Sequence, residues 1–158
     1  MTITPAMILD AIRQRVAETF PGETIYDNIT PEDFQRPCNL LELVKIDLDP
    51  LSMGHTAVSV RYQYKITTFC EVDKVHDSHL PTLDMRGMML LGAFSTGFVK
   101  VGDRAPKVTA LSADTSQYDA VDVMLTLSLT VDRIDFNPEA LLPIMQDLTT
   151  RYTKKEEI

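Results

Sequence analysis

The side chains best suited to chemistry crowd into one polar stretch: Asp73, His76, Asp77 and His79, with Asp84 a little further on. Two histidines three apart, flanked by carboxylates, offer the nitrogen and oxygen donors a divalent cation takes, provided the loop folds back so that three or more converge. The spacing does not enforce that convergence. Asp and His are also ordinary components of solvated loops, so the expectation is a polar loop and no metal ligand is assigned. Cys70 precedes the same histidines and could be imagined as a thiolate with His76 or His79 as base. A nucleophile of that kind normally comes with a recognisable turn and a third orienting group, and neither is legible. A free cysteine usually packs as a small apolar residue, and Cys38, between Pro37 and a strand, is expected to be more deeply buried still. Met85, Met88 and Met89 suit either an adaptable binding surface or core filling, and core filling is expected. The chain contains no phosphate loop, GxGxxG, HExxH, GxSxG or EF-hand spacing. No catalytic, cofactor-binding or metal-ligating residue is therefore assigned, no cofactor is implied, and the expectation is a protein that is not an enzyme.

The elements that would position such residues are easier to read. In Ala120 to Asp132, Val121, Val123, Leu125, Leu127, Leu129 and Val131 alternate with Asp122, Met124, Thr126, Ser128, Thr130 and Asp132. Period two over that length predicts a strand with one buried face, and at ~3.3 Å per residue it would reach about 40 Å. A strand that long needs a long partner, found in Ala57 to Thr67, where Val58, Val60, Tyr62, Tyr64 and Ile66 form one face. Asn39 to Asp49 alternates too, with Leu40, Val44, Ile46 and Leu48 predicted on one side and Leu43, Lys45 and Asp47 mostly opposite. Pro50 to His55, with Gly54 inside, reads as the hairpin connection into the next strand. Short strands are predicted at Thr24 to Asn28, Phe98 to Val101 and Lys107 to Ser112.

Three helices are predicted. Thr4-Pro5 supplies an N-cap hydroxyl and a proline at the first helical position, and Ile8, Ile12, Val16 and Phe20 then recur every four residues until Pro21-Gly22. A second helix spans about Ser78 to Thr96 on Leu80, Leu83, Met88, Leu91 and Phe94, although Gly87 and Gly92 each cost about 1 kcal/mol relative to Ala. Asn137-Pro138-Glu139 repeats the capping logic before a stripe of Leu141, Ile144, Met145, Leu148 and Tyr152. Residues 154–158 should fray. The fold class expected is α+β: a mainly antiparallel sheet with long strands and helices packed on one face, forming a single domain over residues 1–153.

At 158 residues, 44% hydrophobic and 24% charged, the chain matches an ordinary folded domain, and no apolar run approaches a membrane-spanning length. The N-terminus lacks the basic and apolar regions of a signal peptide, which points to the cytoplasm. Two cysteines without CxxC spacing are read as reduced. A net charge of -8 argues against holding nucleic acid on a broad basic surface. An acidic conduit through which DNA passes without sticking is compatible with it.

Taken together, the opening helix ILDAIRQRVAETF, the Ile25-Tyr26 strand, Phe34-Gln35-Arg36-Pro37-Cys38 leading into a long strand, and the aromatic strand VRYQYKI resemble the tail-terminator or tail-completion proteins of tailed bacteriophages. The likeness runs over residues 8–66, and beyond them it rests on the long alternating strand near the C-terminus. Residues 71–97 depart most from the family pattern. What the resemblance implies is structural: a homo-oligomeric ring, usually of six subunits, that caps the tail tube and joins it to the head-tail connector or neck. DNA would pass through the lumen without specific binding. Such a protein belongs in the virion tail after assembly in the bacterial host cytoplasm, and the family role carries no catalytic residue. The alternatives are a tail tube, sheath-adaptor or neck protein of the same particle, a small metal-dependent enzyme using the Asp73 to Asp84 loop, and a ligand-binding or assembly-chaperone domain. The acidic residues Asp119, Asp122 and Asp132 and the length of the strand they flank are read as a sign of assembly.

Overall fold

The computed structural model describes residues 3–28, 30–49, 57–75 and 77–132. The first helix, α1, runs Pro5–Thr19, and the Thr4 hydroxyl accepts from the Met7 amide at 3.3 Å, as the cap-and-proline signal predicts. Its Ile8, Ile12 and Val16 are fully buried. Gly22, at φ 79°, then turns the chain into β1, Thr24–Asp27. β2 is Cys38–Leu48, β3 Ala57–Phe69, α2 Leu80–Phe94, β4 Lys107–Asp114 and β5 Val121–Asp132.

The five strands form one sheet in the order β1-β2-β3-β5-β4. β2 with β3, β3 with β5 and β5 with β4 are antiparallel, whereas β1 runs parallel to β2. The sheet is therefore mixed, and the expected antiparallel character holds for its last four strands. The connection over residues 28–37 returns the chain to the end of the sheet from which β1 started, so the short first strand cannot form a hairpin with β2. Length varies as well: β2, β3 and β5 have 11, 13 and 12 residues, but β1 has four.

The β3–β5 register is unbroken from Ala57↔Asp132 to Thr68↔Val121, which places Val58, Val60, Tyr62, Tyr64 and Ile66 on the same face as Val131, Leu129, Leu127, Leu125 and Val123. Every one of these except the partly covered Val131 is buried. Both helices cover that face. The Tyr64 hydroxyl donates to the Pro5 carbonyl of α1 at 2.9 Å, and Gly87 of α2 lies so close to Val121 that a Cβ there would meet its Cγ1 at 3.0 Å. The α+β class with helices on one side of the sheet is thus what forms. Burying each Val, Leu or Ile of this layer is worth roughly 1.5–3 kcal/mol before entropy is counted.

Two faces were misassigned from sequence. In β2 the register shifts between Leu43 and Lys45, leaving Val44 as the extra residue of a bulge. Leu41 and Leu43 then share the helix-side face with Ile46 and Leu48, opposite Ile66, Tyr64, Tyr62 and Val60, while Leu40 falls on the other face opposite Thr67. One inserted residue reverses the parity of everything before it. In α2 the buried positions are Leu83, Arg86, Gly87, Leu90 and Phe94, so Met85, Met88 and Met89 face out at 61%, 65% and 43% exposure. The expectation that these methionines fill the core is wrong, because a charged residue and a glycine hold the core stripe that the apolar pattern was assumed to mark.

The predicted strand Phe98 to Val101 is reduced to isolated bridges, Phe98↔Lys107 and Val101↔Arg104. The Pro50 to His55 connection, the third helix and the frayed end at 154–158 lie outside the described residues.

Candidate functional site

Among the described residues the donors singled out for a metal do not converge, whereas Cys70 and His79 border one cavity of about 330 Å³ together with Glu71 and Arg86. Asp73 Oδ1 accepts from the amides of Val75 and Asp77, both at 2.9 Å, and the Asp73 amide donates to the Asp77 carbonyl, so this carboxylate closes its own loop. His79 sits at the cap of α2, with Nδ1 2.7 Å from Thr82 Oγ1. Asp84 is exposed on the helix, and His76 lies outside the described residues. Among the described residues, no three His, Cys, Asp or Glu side chains come together in a way that could hold a metal ion. Cys70 is buried, with its thiol donating to the Glu71 carbonyl, and Cys38 is fully buried. Burial pushes the Cys38 thiol up to about 11, with nearby Arg36 and Arg86 pulling the other way, so it is held as a thiol at neutral pH.

Two polar constellations escaped the sequence reading. Under α2, Arg86 is 7% exposed and donates to both carboxylate oxygens of Glu23 at 2.8 and 2.6 Å, to Thr68 Oγ1 at 2.8 Å and to Asn39 Oδ1 at 3.4 Å. Its guanidinium lies 4.0 Å from the Phe20 ring centroid. The bidentate geometry satisfies a charge that would otherwise be costly to bury, and it ties α2 to the α1–β1 turn, β2 and β3. The signal available in the sequence was an arginine three residues after Leu83 and four before Leu90, in the middle of an apolar stripe.

The second constellation lies at the end of the sheet where β2 begins. Arg36 stacks 5.0 Å from the Phe34 ring and 5.1 Å from the Phe69 ring, and its Nη2 donates to Asp119 at 2.9 Å. Ser78 donates to the other Asp119 oxygen at 3.1 Å, and the Arg36 bond chiefly holds the Asp119 carboxyl below its usual value. With Val72, Asp77 and Tyr118 these residues border an open cavity of about 440 Å³. Both cation and anion are already paired, so the arrangement is a latch between the β1–β2 connection, the loop before α2 and the approach to β5.

The sheet face away from the helices is polar and charged. Glu42, Asp47, Asp49, Asp114 and Asp122 share it with Lys45, Arg61, Lys65 and Lys107. Lys65 pairs with Glu42 at 2.8 Å, Lys45 with Asp47 at 3.1 Å, and Arg61 with Asp49. Thr67 donates to Asp122 at 2.7 Å, Gln117 donates to the same carboxylate at 3.0 Å, and the Ser59 and Ser128 hydroxyls are 3.1 Å apart. The bond to Glu42, more than any other influence, raises the Lys65 ammonium above its ordinary value. Three of the four cations here are ion-paired, whereas Asp114 and Asp122 lie opposite each other across β4 and β5.

Of the acidic residues read as marks of assembly, Asp119 and Asp122 have partners within the chain, and β5 lies between β3 and β4. β3 pairs with β5 along its whole length, whereas β4 pairs with it only from Asp122 to Ser128, so on that side residues 129–132 have no strand partner among the described residues.

A family model described as phage tail terminator protein matches residues 7–139. The chain belongs to the phage tail terminator family. That places it among the structural proteins of the phage tail, and it carries the resemblance first seen over residues 8–66 through β5. No curated protein matches the chain. Among solved structures, one similar chain is 14% identical and aligns over 80% of this chain and 94% of its own length at a TM-score of 0.44, a level that supports no argument about role. Among the described residues of this tail terminator, no helix is long and apolar enough to cross a membrane.

Proposed function

We propose that the protein is a non-enzymatic ring subunit that closes the end of the tail tube and presents a surface to the head-tail connector or neck. The observation that carries this reading is the family match over residues 7–139. The charge-paired sheet face is suited to line a lumen, because DNA passing a surface with few free cations meets neither a phosphate trap nor strong repulsion. The outward Met85 and Met89 of α2, bordered by Phe20 and Pro81, form the adaptable apolar surface expected of a protein-protein contact. Closed cyclic symmetry, with six copies matching a sixfold tube, follows from a head-to-tail contact that closes on itself. Assembly takes place in the bacterial host cytoplasm, and the partners are the tube protein on one side and the connector on the other.

The test is to add the purified protein to polymerising tail tubes and image them. Tubes should stop growing and carry one ring at a single end. Tubes that lengthen unhindered, or a chain that copolymerises along their whole length, would sink the terminator role and favour a tube or sheath-adaptor protein.

A further inference from the structure

Residues 30–37 carry the chain from β1 to β2 without joining a strand ladder. Within the segment, the Phe34 amide donates to the Pro31 carbonyl at 3.2 Å. Its polar and aromatic ties to other described residues are few. The Gln35 amide donates to the Tyr26 hydroxyl at 3.2 Å, and the Phe34 ring lies 5.0 Å from the Phe69 ring. Arg36 supplies the rest: its guanidinium stacks on both rings and donates to Asp119 at 2.9 Å and to Ser78 Oγ at 3.5 Å. The two free thiols adjoin this segment. Cys38 follows Pro37 directly and is the register partner of Phe69, and Pro37 borders the cavity that Cys70 shares with His79. Both cysteines are buried. We infer that residues 30–37 form a strap, buckled by Arg36, that opens as one piece and uncovers Cys38 and Cys70 while the sheet stays folded.

Three observations separate the strap from the fold beneath it. The Asp119 side chain is 63% exposed, so its bond to Arg36 competes with water and is screened by salt. The other Asp119 oxygen accepts from Ser78, which is buried and held by the Val72↔Ser78 bridge. The receiving half of the buckle is therefore anchored, and the strap is the half free to move. Finally, β2 and β3 pair without a break from Cys38↔Phe69 to Leu43↔Tyr64, so lifting the strap breaks no ladder bond. Segments tied by a few exposed bonds open at far lower free energy than a packed sheet does. The inference does not depend on the ring.

The experiment follows the slow iodoacetamide labelling of Cys38 and Cys70, resolved by peptide mass spectrometry, in the native full chain and in Asp119→Ala, a change at an exposed side chain. Both cysteines should label about threefold faster or more in the variant, the scale set by losing one partly exposed ion pair. Salt at about 1 M should quicken labelling of the native protein and leave the variant unchanged. Amide exchange of residues 33–36 should accelerate in the variant while that of residues 123–127 stays the same. Equal labelling of the two proteins, a native rate insensitive to salt, or an acceleration shared by residues 123–127 overturns the strap.

Discussion

Arg86 shows how one side chain can hold four elements together. Breaking a buried pair strands the surviving charge, so Arg86→Ala should lower unfolding free energy by about 3 kcal/mol in urea titrations, and Glu23→Gln should recover only part of the loss when added to it. Additive losses in the double variant would show that the two side chains act separately. Asp119 makes a pH prediction. Its folded carboxyl is held below 3.8, so its contribution is present above that value and fades as pH falls through the folded pKa. Melting temperatures of native protein and Asp119→Asn should differ at pH 7, and the gap should narrow as pH falls below 3.8. Cys38 and Cys70 should resist iodoacetamide at pH 8 until denaturant is added, because burial denies access to both and keeps Cys38 protonated. The burial of both cysteines was expected from their residue type, but nothing announced the Arg86 network, since Glu23, Asn39, Thr68 and Arg86 are scattered over 64 positions and meet only through the fold.

α2 and β2 are where the patterns misled, each for a definite reason. The two glycines of α2 look alike in sequence but sit in different surroundings. Gly87 faces Val121 at contact distance, whereas Gly92 has nothing within 4 Å of where a Cβ would stand. Gly87→Val should therefore destabilise by about 1–3 kcal/mol through overpacking, while Gly92→Ala should stabilise by about 0.5–1 kcal/mol through helix propensity. Thermal denaturation of both would check this, and a stabilising Gly87→Val would refute the close approach. In β2 the bulge at Val44 was invisible, because an extra residue in an alternating run leaves composition unchanged and only the partner strand exposes the shift. α1, by contrast, was legible to its cap, as a hydroxyl, a proline and a four-residue apolar repeat all act locally.

For the whole molecule, membership of the tail terminator family and the mixed sheet lead to one physical expectation. If the charge-paired sheet face lines a lumen, reversing Arg61 and Lys65 to Glu should leave ring formation intact by light scattering. It would also unpair Asp49 and Glu42, and DNA release from assembled particles should become salt-dependent. Insensitivity of release to salt in that variant would place the face elsewhere. Conversely, the strand first read as a sign of assembly, Val121–Asp132, is paired by β3 throughout but by β4 only as far as Ser128, and the phage tail role rests on the family match.

By itself the sequence determined what local chemistry determines: the start of α1, the existence of the long strands, the buried face of β3 and β5, and the absence of any familiar catalytic motif. Alternation and capping are short-range signals, and they survive in any fold that buries one face. Only the tertiary structure decided the parallel pairing of β1 with β2, the face of each β2 residue, the outward turn of the α2 methionines and the company of Arg86. Each of those depends on which strand or helix lies alongside, and such neighbours are chosen by the packing of segments far apart in the chain.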